Sequence, residues 1–184
     1  MSKKEIEIIF DSDDEWEEEI ITEKDELDLS ILYTDGGHNK MTGDEAWGSV
    51  VQGQGVDIVP LYKTLFSDLK LKNVNLPVGN RDIVISKFND VKTQQNNGAE
   101  LLAFLMGLRI AKSTNIVKRI KCDSDLLVKW WTLNGPNPKT KKTMDPLKIK
   151  YINECIMLRK EFESKGGIIE KISGDDNKAD LGYH

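Results

Sequence analysis

Residues 27–37 read "LDLSILYTDGG", and the reading of the fold starts from their period of two. Leu27, Leu29, Ile31 and Tyr33 fall on one side of an extended chain, and Asp35 continues the same parity. Alternation of this kind marks a strand with one face buried. The "DGG" that follows is a turn signal, so the strand is expected to end there with a carboxylate at its tip.

Two further stretches read as strands, "AWGSVVQG" (46–53) and "RDIVISKF" (81–88). Residues 54–80 between them look like an insertion or a long hairpin excursion. Leu101, Leu105 and Leu108 then recur at helical spacing, which predicts an amphipathic helix over 98–112. "VKRIKCD" (117–123) is another strand ending in an acid, and "SDLLVKWW" (124–131) opens a second helix. "NGPNPKTKK" (134–142) reads as a basic Pro/Gly loop. Asp145 and Pro146 are the N-cap and first residue of a long helix with the stripe Leu147, Tyr151, Cys155, Leu158, Phe162, stopped near Gly166. "IIEKI" (168–172) is a last short strand. This order predicts an α/β fold with a mixed five-stranded sheet flanked by helices. Strands 1–3 would form an antiparallel meander and strands 4–5 would be parallel, because a helical crossover precedes strand 4.

The 184 residues contain 39% hydrophobic side chains, enough for one core. No apolar run approaches the roughly 18 residues of a membrane span, so no membrane association is expected. The two cysteines, Cys122 and Cys155, form no CxxC pair, and the residues carry no signal-peptide pattern; an intracellular, reducing setting is expected. The net charge of −5 is unevenly placed. Residues 1–28 hold 13 acids and 3 lysines, which leaves the remainder mildly basic and suited to a polyanion. Residues 1–28 are therefore read as an acidic tail that stays disordered, and 29–184 as one catalytic domain, monomeric. Within the tail, "IEIIF" (6–10) followed by acids resembles a SUMO-interacting motif, which would make the tail a protein-binding segment. It also reads as a tail that touches the body or nothing at all.

If strand 4 lies parallel beside strand 1, Asp35 and Asp123 both sit at carboxyl ends of adjacent strands about 4.8 Å apart. Glu100, in "TQQNNGAELLAF" (93–104), falls in the first turn of the crossover helix as it returns to that end. Carboxylates forced together repel unless a divalent ion neutralises them, and an all-oxygen donor set suits Mg²⁺ or Mn²⁺. Each acid also has a plain structural reading: Asp35 as a turn former, Glu100 favoured by the helix dipole, Asp123 as an N-cap.

"YTDGG…AWGSVV", "QNNGAELLAFLMGLRIA", "KCDSDLLVKWW" and "NKAD", in that order, resemble type 1 ribonuclease H from Leu29 onward. The resemblance implies a ribonuclease H-like domain that cuts the RNA strand of RNA–DNA hybrids with two Mg²⁺ ions, Mn²⁺ being a possible substitute. It carries the catalytic and metal-binding roles onto Asp35, Glu100, Asp123 and Asp180. It assigns hybrid contacts to the backbone of Gly36 and Gly37, to Gln95, Asn96 and Asn97, and to Trp130 with Lys139, Lys141 and Lys142 as a basic protrusion. Of Trp130 and Trp131, one is expected in the core.

Three departures stand out. The loop "EKISGDDNKAD" lacks the family's histidine; the only histidines are His38 and His184. The "NKAD" spacing is one residue tight, which leaves Asp176 as a rival to Asp180. The residues end at "LGYH", without the family's C-terminal helix. Two other functions fit the same pattern: a DNA nuclease of resolvase or integrase type, and a catalytically weak nucleic-acid-binding domain.

Overall fold

The computed structural model describes residues 30–38, 45–52, 64–76, 79–87 and 95–180. The expectations for the tail 1–28 and for the last residues, including His184, fall outside the described residues. Six strands make one sheet in the order β3-β4-β2-β1-β5-β6. They are β1 (Ile31–His38), β2 (Glu45–Gln52), β3 (Lys70–Leu76), β4 (Gly79–Lys87), β5 (Arg119–Cys122) and β6 (Ile168–Lys171).

The expected five-stranded sheet with its opening three-strand meander is thereby corrected. Where side chains are described, the strands are β1, β5 and β6, and these are parallel to one another with helices packed on them. β2, β3 and β4 extend the other edge through antiparallel pairs. The strand that was missed is β3, which pairs with β4 from Lys70↔Ile85 to Leu76↔Gly79. Its sequence, KLKNVNL, changes parity between Leu71 and Val74, so no period of two is visible in it.

The "DGG" turn is corrected as well. β1 runs on through Asp35, Gly36 and Gly37 to His38, because these residues pair with Ser49, Gly48 and Trp47 of β2. β5 stops earlier: its last partner on β1 is Thr34, opposite Cys122. Asp35 therefore lies one residue past the end of the parallel ladder, while its own strand continues.

Helix α1 (Gln95–Thr114) is longer than the predicted 98–112 and is buried on every side from Gly98 to Leu108. One side lies on β1 and β2 and the other on the long helix described below. Two glycines permit this close seating. A Cβ on Gly36 would fall on the backbone of Ala99 and Glu100, and one on Gly107 would sit 2.7 Å from Thr34 Cγ2. Polar exposure returns only at the helix end, with Lys112 and Ser113.

After β5 comes α2, a π-helical stretch Leu127–Trp131 running into an α-helical turn Thr132–Asn134. The wide turn is closed by Thr132 Oγ1 donating to Leu127 O (2.8 Å) and by Arg159 Nη1 donating to Val128 O (2.7 Å). The basic loop expected at 134–142 contains a short helix, α3 (Pro138–Thr143), capped by Asn137 accepting from Thr140 N. Then α4 (Pro146–Ser164) starts as the sequence predicts, with Asp145 Oδ1 accepting from Leu147 N at 2.7 Å. It ends where Gly166 takes φ 84°. Arg109 of α1 ties the layers: Nε donates to Glu154 on α4 (2.7 Å), and Nη1 donates to Leu65 O (2.6 Å) and Asp68 (2.9 Å).

The seating of α1 on β1 gives a direct test. Gly36→Ala puts a methyl group into helix backbone and is expected to cost about 1–3 kcal/mol of unfolding free energy. Urea denaturation measures it, and an unchanged midpoint would show that α1 does not rest on Gly36.

Candidate metal centre

β1 and β5 are joined in register only as far as Thr34 and Cys122, so the next residues, Asp35 and Asp123, leave the ladder side by side. The close approach of α1 to Gly36 brings Glu100 to the same place, since Ala99 and Glu100 are the residues whose backbone lies against that glycine. Because α1 begins at Gln95, Glu100 belongs to its second turn rather than its first. The helix dipole alone thus gives little reason for an acid there.

Asp35 and Glu100 are 7% and 8% exposed, and Asp123 is half-buried. Glu100, Cys122 and Asp123 each offer a ligand atom within 4.8 Å of the other two. Burial first, then the charges of Asp123, Asp35 and Asp180, push the Glu100 carboxyl well above the ordinary carboxylate range. A backbone hydrogen bond from Gly36 pulls the other way. The other three acids singled out in the sequence therefore all act on Glu100 at this end of the sheet.

Two oxygens in the cluster are shut off from solvent without a hydrogen-bond donor among the described residues, Glu100 Oε2 and Asp123 Oδ1. Buried acceptors left without a donor are costly, and adjacent carboxylates add repulsion to that cost. A divalent cation removes both penalties, so the donor set fits one. Cys122 was missed by the sequence reading, although it stands next to Asp123 in "KCDSD". It is fully buried, accepts from Ser124 N at 3.4 Å, and burial raises its thiol well above the usual value. A neutral thiol leaves the carboxylates as the donors suited to a hard ion.

Asp180 is held in place by Asn177, the first residue of "NKAD", to which the sequence reading gave no role of its own. Asn177 Nδ2 donates to Thr34 O at 3.0 Å, next to Asp35, and its Oδ1 accepts from Ala179 N at 3.2 Å. Asp180 N closes the turn on Asn177 O at 3.0 Å. The tight "NKAD" spacing thus forms a buried turn pinned to β1. The rival, Asp176, is exposed and accepts from Ser173 Oγ at 2.6 Å. The loop between β6 and this turn passes close to the site, since a Cβ on Gly174 would lie 3.5 Å from Asp123 Oδ2.

The expected substrate residues divide. Asn96 is exposed and Asn97 half-buried in the first turn of α1; the Gln95 side chain is outside the described residues. Gly36 is buried against α1, where a Cβ would meet helix backbone; Gly37 is buried too. Trp130 is 62% exposed and Trp131 only 4%. Lys139, Lys141 and Lys142 are exposed on α3. No helix among the described residues is long and apolar enough to cross a membrane. No protein-family model matches the chain, and the curated proteins contain no match.

The raised proton affinity of Glu100 sets a pH dependence. A carboxyl raised in the folded state stabilises fully below its unfolded value, near 4.5, and that contribution is lost as pH rises through the folded value. Metal-free protein should therefore lose stability from about pH 4.5 upward. Glu100→Gln should remove that loss and raise the neutral-pH Tm in EDTA by a few degrees, ~2–4 °C. Mg²⁺ should raise the Tm of the parent chain and leave that of the variant nearly unmoved. Equal Mg²⁺ responses in scanning calorimetry would remove Glu100 from the centre.

Proposed function

We propose that this chain is a divalent-metal-dependent nuclease of type 1 ribonuclease H character, hydrolysing the RNA strand of RNA–DNA hybrids. The observation that carries the reading is the pair of donorless oxygens, Glu100 Oε2 and Asp123 Oδ1, on neighbouring acids, with Asp35 and Asp180 near enough for their charges to act on Glu100. Asp35, Glu100, Asp123 and Asp180 would hold two Mg²⁺ ions, or Mn²⁺ in their place. When bound, such ions supply Lewis-acid activation of water and neutralise charge on the scissile phosphate.

The chain's own groups do the rest. Glu100 Oε2, buried and without a donor among the described residues, would be a ligand for one of these ions. Asn177 keeps Asp180 from swinging away by fixing its turn to Thr34 O. The exposed amide of Asn96 and the half-buried one of Asn97 can read base edges and 2′-hydroxyls in a shallow groove, which favours a hybrid over duplex DNA. Lys139, Lys141 and Lys142 would contact phosphates, and the exposed face of Trp130 offers a stacking surface.

Labelled hybrid, duplex RNA and duplex DNA incubated with Mg²⁺ test the reading. Cleavage confined to the RNA of the hybrid is expected. Asp123→Asn should lower the rate at least about 10²-fold while hybrid binding persists. Undiminished cleavage by that variant would exclude the site, and cutting of duplex DNA would exclude the hybrid specificity. Replacing Lys139, Lys141 and Lys142 together by Gln should reduce the slope of log affinity against log salt by roughly 1 to 3. An unchanged slope in filter binding would remove α3 from the interface.

A further inference from the structure

At the opposite end of the sheet from the acids, a cleft of about 40 Å³ lies between the ends of α1 and α4 and the segments leading into β5 and β6. Its floor includes Val117, Leu158 and Phe162, which are 3%, 6% and 9% exposed. Its rim carries Lys112, Lys118 and Lys165, all exposed, against a single acid, Glu161, which already holds Lys112 and Lys165 at 2.8 Å each. Close by, Ile116 and Ile168 are 44% and 47% exposed, and Ile168 N donates to Lys118 O at 2.9 Å. β6, which begins at Ile168, is the outermost strand on that side. An apolar floor with exposed isoleucines beside a net-positive rim fits a short aliphatic segment followed by acids.

The sequence contains one: "IEIIFDSDDEWEEE", residues 6–19. The chain enters the described fold at the cleft itself, since Ser30 O accepts from Lys118 N at 2.8 Å and from Arg119 N at 3.1 Å. Nineteen residues separate Phe10 from Ser30. At ~3.3–3.6 Å each they reach up to about 70 Å, several times the span of the cleft. A segment tethered this near competes at an effective concentration of about millimolar, which a separate partner rarely matches. About three water-sized spheres of space would take one branched aliphatic side chain.

We infer that residues 6–10 dock into this cleft of their own chain, with Asp11 to Glu19 facing Lys112, Lys118 and Lys165. The acidic stretch is then held at the strand starts, away from Asp35, Glu100 and Asp123 at the other end. Nothing in this depends on nuclease activity.

Hydrogen–deuterium exchange on the full chain tests it by comparing the parent with two variants, Ile8→Asp with Ile9→Asp, and Lys165→Glu. The second changes only an exposed side chain, so it keeps the test valid if the first has other effects. Protection at residues 6–10 and 165–168 is expected in the parent, with exchange about tenfold faster in each variant and in 0.5 M NaCl. Identical exchange at 6–10 in all three proteins would overturn the inference. Protection that grows with protein concentration would overturn it too, since a second copy would then supply the segment.

Discussion

The backbone contact between α1 and β1 at Gly36 is the constraint on which the site depends. A helix resting on a sheet normally stands off by the length of two side chains. Here glycine at 36 and at 107 removes one layer, and α1 settles onto the strand along its buried length. That lowers Glu100 to the level where β5 has just ended, beside Cys122 and Asp123 and within reach of the charge of Asp35. With an ordinary residue at 36, the helix would lift and the carboxylates would separate. The Glu100 carboxyl is so strongly perturbed for the same reason: it is pressed by packing into a place where its neighbours repel it.

The repulsion is tolerated because the frame around it is stiff. α1 is buried all round between sheet and α4, and Arg109 bridges Glu154, Asp68 and the Leu65 carbonyl. Arg159 holds the widened turn of α2 against α4. Asn177 fastens the last acidic turn to the Thr34 carbonyl. Such strain from like charges persists where the surrounding structure over-determines it, and sites with perturbed carboxylates are where metal or proton chemistry is found.

The chain divides into two ends with opposite electrical character. The strand ends collect carboxylates, while the strand starts present lysines around a small apolar cleft. The described fold begins at that second end, where Ser30 O accepts from Lys118 N and Arg119 N.

Local pattern determined much of this. The leucine spacing of α1 and the Asp145–Pro146 start and Gly166 stop of α4 were readable because period, cap and φ are properties of neighbouring residues. The alternation through Ile31 and Tyr33 marked β1 as a strand but not its buried face: Leu32 and Thr34 are fully buried, and Ile31 and Tyr33 are half-buried. The four acids stood out as members of ordered motifs, and in the fold three of them act on the fourth, Glu100. The parity change in KLKNVNL hid β3, and the count of strands went wrong with it. "DGG" looked like a turn because glycines usually make one; only pairing with β2 keeps Gly36 and Gly37 extended. Cys122 carried no local signal, since a thiol beside an acid is ordinary, and Asn177 was visible only as the first letter of "NKAD", with nothing to show what it would hold. Their roles exist only after β1, β5, α1 and the final turn meet, because contacts between residues as far apart as Thr34 and Asn177 are decided by packing, which no short window of sequence encodes.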